Sequence, residues 1–205
     1  PYNARREVRR GLYSSAGQDE EYIERCWLAD MQDKYLCFTN RGKVYLRRVF
    51  QIHVASRAAR GRPVVNILPL DEGERITAML PVSEYREDQF IFMATTNGTV
   101  KKTPLMDFSR QRTSGLIAIE LEEGNMLIGA AITNGDSDVM LFGSSGKVIR
   151  FKESDVRAMG RTARGVRGIK LRGEQAVISL IIPDAEGEVV IASENGYGQR
   201  SAIAD

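Results

Sequence analysis

The chain has 205 residues, with 29 Lys and Arg against 27 Asp and Glu, one His, two Cys and one Trp. That length suits one large domain or two small ones, and 42% hydrophobic with 27% charged residues excludes disordered, collagen-like and mucin-like classes. No apolar run is long enough to cross a bilayer. The first residues have no apolar leader core, and Cys26 and Cys37 form no CxxC pair, so a cytosolic protein with free thiols and no membrane partner is expected.

Taken in chain order, the sequence repeats itself. Residues 1–23 carry Gly11 and read as the second half of a unit. The next unit, 24–76, opens on Tyr35-Leu36-Cys37-Phe38, turns at Gly42 and continues to Gly61 and Gly73. Unit 77–128 has Phe90-Ile91-Phe92-Met93, then Gly98, Gly115 and Gly124. Unit 129–177 has Val139-Met140-Leu141-Phe142, then Gly146, Gly165 and Gly173. Residues 178–205 begin another unit with Val189-Val190-Ile191-Ala192 and Gly196. The first glycines are 56, 48 and 50 residues apart, the second 50, 54 and 50, and the third 51 and 49. Three glycine columns kept in phase define a repeat of about fifty residues.

Within each unit, short runs rich in Val, Ile, Phe and Tyr are bounded by glycine turns, the pattern of β-hairpins. Asn97-Gly98 and Asn195-Gly196 predict type I′ turns. The only helix candidates, 84–88 and 152–158, are short. An all-β, propeller-like fold of four-stranded blades follows, because such units cannot bury both faces alone. It forms a single domain or a piece of one, with blades at 24–76, 77–128 and 129–177 and partial blades at 1–23 and 178–205.

Charge follows the same period. Segments 1–13, 41–62, 97–115 and 146–172 carry +3, +7, +3 and +7, whereas 14–40, 63–96, 116–145 and 173–205 carry −4, −4, −5 and −5. The net +2 is therefore the small residue of a large alternation. If the blades are equivalent in space, their basic segments form a positive band, which suits a long periodic polyanion, double-stranded DNA, bound through phosphates with little sequence readout. The column four residues after the first glycine holds Leu46, Lys102, Arg150 and Arg200, and the column before the second glycine holds Arg10, Arg60, Ser114 and Arg164. With these, the candidate DNA-binding residues are Arg9, Arg41, Lys43, Arg47, Arg48, Arg57, Arg62, Lys101, Arg110, Arg112, Lys147, Lys152, Arg161 and Arg167. Bending 20–30 base pairs by 40–90° around such a rim costs on the order of 1–6 kcal/mol, a load that several blades share. Tyr45, Phe50, Phe108 and Phe151 sit among these residues at positions where strands need core, so base stacking is not expected.

Catalytic patterns are lacking in this chain. Gly143-Ser144-Ser145-Gly146-Lys147 is too short for a phosphate loop and Val148 replaces the needed Ser or Thr, so it reads as a hairpin turn. His53 has no second histidine or cysteine at ligand spacing. Asp136 and Asp138 flank a turn and read as a solvated hairpin rather than a cation site. The chain is expected to hold no cofactor or metal and not to be an enzyme by itself. A kelch-like propeller that binds protein partners is the alternative, and it would need exposed apolar loop tips where this chain has basic ones.

The stretches Ala59-Arg60-Gly61-Arg62-Pro63-Val64-Val65-Asn66, Met93-Ala94-Thr95-Thr96-Asn97-Gly98-Thr99-Val100-Lys101-Lys102-Thr103, Gly146-Lys147-Val148-Ile149-Arg150-Phe151-Lys152-Glu153-Ser154, Val166-Arg167-Gly168-Ile169 and Asn195-Gly196-Tyr197-Gly198 resemble the C-terminal DNA-wrapping domain of the larger, DNA-cleaving polypeptide of bacterial DNA gyrase, a type IIA topoisomerase. The resemblance covers about residues 20–205. It implies a β-pinwheel with strand exchange between blades, wrapping DNA on its perimeter so that the ATP- and magnesium-dependent whole enzyme, built from gyrase A and gyrase B polypeptides, supercoils negatively. It also implies a bacterial cytoplasmic, nucleoid-associated setting. The family's basic box, Gln-Arg-Arg-Gly-Gly-Lys-Gly, is matched by Val8-Arg9-Arg10-Gly11-Leu12-Tyr13-Ser14, which keeps only the central Arg-Arg-Gly. The related domain of topoisomerase IV, which binds DNA and wraps it less, is therefore a further alternative.

Overall fold

The computed structural model describes residues 34–48 and 68–183, together with the strand backbones 188–192 and 198–202. The strands are β1 (Lys34–Thr39), β2 (Lys43–Arg48), β3 (Ile76–Val82), β4 (Phe90–Thr95), β5 (Thr99–Pro104), β6 (Leu116–Ile117), β7 (Leu127–Thr133), β8 (Asp138–Gly143), β9 (Val148–Lys152), β10 (Val166–Arg167), β11 (Val177–Ile181), β12 (Glu188–Ala192) and β13 (Gly198–Ala202). All pairings between these strands are antiparallel. They give sheets ordered β3-β1-β2-β6, β10-β5-β4-β7 and β11-β8-β9, with β12-β13 as a further hairpin.

The fold is all-β and propeller-like, but the sheets do not follow contiguous windows of sequence. β3 lies across the 76/77 boundary and pairs with β1, and β11 likewise pairs with β8. The outermost strand of each four-stranded sheet comes from the following repeat: β6 pairs with β2, and β10 with β5. The repeat is thus real, while each sheet is shared between neighbours in sequence. The glycine columns make this exchange possible. Gly42 and Gly98 have φ of +76° and +87°, and a Cβ there would lie 2.6 Å from Ile119 O and 2.7 Å from Ile169 O. Their carbonyls accept from Ala118 N and Ile119 N, and from Gly168 N and Ile169 N, at 2.8–3.3 Å. The second column works from the other side, since a Cβ on Gly165 would stand 2.5 Å from Val100 O.

The core lies between adjacent sheets. Along β4, Ile91 and Met93 join Leu36, Phe38, Val44 and Leu127 in one cluster, while Phe92 and Ala94 join Val139, Leu141, Ile169 and Val177 in the next. Alternate side chains of one strand therefore feed two cores, and each fully buried large apolar side chain contributes roughly 1.5–3 kcal/mol. The inner strands β3, β7 and β11 run side by side along a common groove lined by Met79, Leu80, Ile128, Gly129, Ile178 and Leu180.

Three local expectations are corrected. Asn97-Gly98 does not form a type I′ turn, because the described residues contain no non-glycine residue with positive φ. Gly98 N instead donates to Thr95 O at 3.1 Å, and the loop has three residues ending on the left-handed glycine. Gly42 and Gly146 repeat this geometry through Thr39 O and Gly143 O. Residues 84–88 are not helical. The 152–158 candidate shrinks to a 3-10 turn at Glu153–Asp155, and a second such turn lies at Leu105–Phe108. Asn195-Gly196 and the partial unit 1–23 lie outside the described residues.

The exchange geometry sets a stability contrast. Gly146→Ala places a Cβ in open space at φ +81° and is expected to cost about 1–3 kcal/mol of backbone strain. Gly165→Ala adds a collision with Val100 O, for about 1–3 kcal/mol more. Denaturant midpoints of the two variants measure the difference, and equal losses would contradict the close strand approach.

Candidate nucleic-acid interface

Strand order converts the charge alternation along the sequence into a radial one. From the inner groove outward, each four-stranded sheet runs through an inner strand (β3 or β7), then β1 or β4, then β2 or β5, and ends on the exchanged strand β6 or β10. The basic segments 41–62, 97–115 and 146–172 begin at β2, β5 and β9 and, in the latter two, run to the edge of β6 and through β10. The acidic segments hold the inner strands and the first hairpin strands, together with the uncharged β6 and with β13. The cross-strand register aligns the first candidate column, pairing Leu46 with Leu36, Lys102 with Phe92, Arg150 with Met140 and Arg200 with Val190.

The sequence candidates between Arg41 and Arg167 that fall within the described residues sort into three groups. Arg110, Arg112, Lys147 and Arg167 are exposed and make no ion pair with another described residue. A second group is exposed or half-buried and engaged. Arg164 reaches Glu120 at 3.0 Å and Glu122 at 3.7 Å. Arg150 and Lys152 both pair with Asp138, the latter at 2.7 Å. Arg41 lies 3.8 Å from Asp71 and donates to Glu72 O. Arg47 stacks over Tyr45 at 5.6 Å, and Arg161 donates to Ile117 O at 3.1 Å. Lys43 is half-buried and Arg48 exposed on β2. Such surface pairs hold little energy, because solvent and salt screen them.

The third group is a correction. Lys101 and Lys102 are not on the rim. They are 0% and 7% exposed. The Lys101 amine donates to Ala118 O (2.6 Å), Gly160 O (3.0 Å), Arg161 O (2.5 Å) and Ala163 O (3.2 Å). The Lys102 amine donates to Glu153 O at 3.2 Å and stands 4.9 Å from the centre of the Phe90 ring. Strand β5 is covered on both faces, so neither side of its alternation leads to solvent. Arg9, Arg10, Arg57, Arg60 and Arg62 lie outside the described residues, and only the backbone of Arg200 is described.

Sequence reasoning missed the carboxylates that face these cations. Glu120, Glu122, Arg164 and Arg167 line one groove of about 380 Å³ with Asn97 and Asn125, where the exchanged strand β10 meets the β4–β5 turn. The fifty-residue repeat counts charge by segment, whereas Glu120 and Arg164 are 44 residues apart and meet only through strand exchange. Asp138, read as a solvated turn residue, has its carboxylate held by two cations. The hydrogen bond from Lys152 and then that from Arg150 keep it below the usual 3.8. Tyr45 on β2 is buried and Phe151 on β9 half-buried, Phe108 is buried from the 3-10 turn Leu105–Phe108 rather than from a strand, and Phe50 lies outside the described residues. Cys37 is buried, and desolvation pushes its thiol up to about 12, which leaves it unreactive at neutral pH. Among the described residues no helix is long and apolar enough to cross a membrane.

An all-β propeller with strands exchanged between repeats is the class this geometry defines. A sequence profile for the "DNA gyrase C-terminal domain, beta-propeller" matches residues 33–83, 89–134 and 137–184, one match per repeat. The chain belongs to this family, the C-terminal domain of DNA gyrase. It is 54% identical over 204 residues to the gyrase A polypeptide of Klebsiella oxytoca and 50% identical over 204 residues to that of Escherichia coli K12. Each alignment covers 100% of this chain, which spans 23% of the length of those relatives. Among solved structures, the C-terminal domain of DNA topoisomerase IV is similar at TM-score 0.76 and 27% identity, over 86% of this chain and 55% of that one. A DNA gyrase A C-terminal domain is similar in fold at TM-score 0.76 and 24% identity, over 95% and 63%.

The Asp138 cluster gives a pH expectation. A carboxyl depressed in the fold adds stability that is present above its ordinary 3.8 and is lost as pH falls through the lower folded value. The Asp138 carboxyl carbon, followed by NMR, titrates below 3.8, and the midpoint moves up in Arg150→Gln/Lys152→Gln. An unmoved midpoint would mean that the two cations do not hold it.

Proposed function

We propose that this chain is the DNA-binding domain of a gyrase A polypeptide, carrying duplex DNA along its basic outer strands and bending it into a wrap that biases supercoiling to the negative sign. The observation that carries this reading is the radial sorting of charge. The segments that hold β2, β5, β9, β10 and the loop leading to β6 are basic, whereas those that hold β3, β7, β11 and the first hairpin strands are acidic, the uncharged β6 opening one of them. A duplex meets this face through its phosphates, with affinity from counterion release and little sequence preference. Arg110, Arg112, Lys147 and Arg167 are free to make such contacts. Arg150, Lys152 and Arg164 exchange a carboxylate for a phosphate. Strand cleavage and ATP hydrolysis belong to the remainder of gyrase A and to gyrase B, the protein partners of this domain, and ATP and magnesium serve those parts. The setting is the bacterial cytoplasm, on the nucleoid.

A second reading, a topoisomerase IV-type domain that binds DNA and wraps it less, is favoured by one feature: residues 8–14 keep only the Arg-Arg-Gly core of the gyrase box. The two readings part on a single measurement, the linking-number change when this chain binds relaxed plasmid beside a nicking-closing enzyme. A change of defined sign supports wrapping, and none leaves a binder that does not wrap.

DNA affinity is expected to fall steeply between about 50 and 200 mM salt. Replacing Arg110, Arg112, Lys147 and Arg167 together by Ala lowers the salt slope by about 0.9 for each phosphate no longer neutralised, with the thermal midpoint unchanged. Affinity flat with salt overturns the reading.

A further inference from the structure

The Lys101 ammonium is enclosed by backbone carbonyls, three of the four from the neighbouring repeat. Lys101 leaves β5 in the interior, and its amine meets four carbonyl oxygens within 3.2 Å. Three of them, those of Gly160, Arg161 and Ala163, belong to a single turn, closed by Ala163 N donating to Gly160 O. The fourth, Ala118 O, lies just beyond the exchanged strand β6. The same turn touches that stretch twice more, through Glu120 N to Ala163 O and Arg161 Nη1 to Ile117 O. It displays Arg161 and leads directly into Arg164. An ammonium offers three protons and no lone pair, and four convergent carbonyls suit that species rather than the neutral amine, whose lone pair would face an oxygen.

We infer that Lys101 is a positioning residue for DNA binding. Its ammonium pins the 160–163 turn to the β6 edge, and so fixes where Arg161 and Arg164 stand at the junction between two repeats. Lys101 itself does not reach DNA. This inference rests on the reading that the outer face binds DNA. The pinning is proton-dependent. Desolvation, and then the Arg161 guanidinium, push the Lys101 amine down to about 7, with Asp107 of the neighbouring 3-10 turn opposing them. These are the charged groups that face it. The charge is therefore present below about 7 and lost as pH rises through that value, which releases the turn in the range around neutrality.

The experiment follows the 205-residue chain by NMR and by DNA affinity from about pH 6 to 8.5 at constant ionic strength. The Lys101 Cε resonance should titrate near 7, and the backbone amides of 161–164 should shift with the same midpoint. Affinity should fall at least about fivefold across that range, a typical size for coupling between two sites. Lys101→Met should bind weakly and without pH dependence, and Lys101→Arg should restore affinity while removing the pH dependence. His53→Gln should keep it, which excludes the chain's single histidine as its source. A Lys101 amine that stays charged to about pH 9, or turn amides that do not follow it, overturns the inference without recourse to a variant. Salt-sensitive DNA binding that is flat in pH, or unchanged in a folded Lys101→Met, overturns it alone. No salt-sensitive binding at pH 6 overturns the functional reading and this inference with it.

Discussion

The carbonyl oxygens of Gly42 and Gly98 each accept two amide hydrogens from the repeat that follows, and much of the architecture depends on those contacts. A strand can be donated across a blade boundary only if the receiving turn has no side chain in the way and its carbonyl points outward. The left-handed φ and the absent Cβ of these glycines meet both conditions at once. Gly115 and Gly165 do the same for the donating chain, pressed against the Tyr45 ring and Val100 O. Each four-stranded sheet is thereby completed by its neighbour, so that the edge of β2 or β5 that would stand open is covered within the chain.

Exchange also determines where charge can go. The chain leaves the β4–β5 and β8–β9 hairpins and supplies β6 and β10 to the previous sheet, so the basic segment 97–115 runs up to that outer edge and 146–172 runs through it. The acidic segments return along the groove formed by β3, β7 and β11. Near-neutral overall charge keeps the compact state free of strong self-repulsion, while the outer face remains cationic. The ion pairs at Asp138 and Glu120 offset part of the charge of Arg150, Lys152 and Arg164 on that face.

Cations in this fold follow two physical regimes. On the outer strands and loops they are solvated, loosely paired and interchangeable. Between repeats they become structural, because a blade covered on both faces leaves the amines of Lys101 and Lys102 nowhere to go except onto backbone carbonyls. Burying a charge is costly unless it is well hydrogen-bonded, and desolvation with the nearby Arg161 guanidinium pushes the Lys101 amine down to about 7.

Composition and spacing were enough for the all-β class, the repeat of about fifty residues, the hairpins at Gly42, Gly98 and Gly146, and the phase of charge against that repeat. Each of these is local, written in the alternation of apolar residues and in the positions where only glycine tolerates the backbone. Sequence could not show that β3 closes the first sheet across a unit boundary, that Glu120 faces Arg164 from 44 residues away, or that the turn at Asn97-Gly98 has three residues rather than two. Nor could it separate Lys101 and Lys102 from Arg110 and Arg112, since all four sit in one basic segment. That separation is decided by which faces of β5 its neighbours cover, a property of strands brought together from different repeats and absent from any single one.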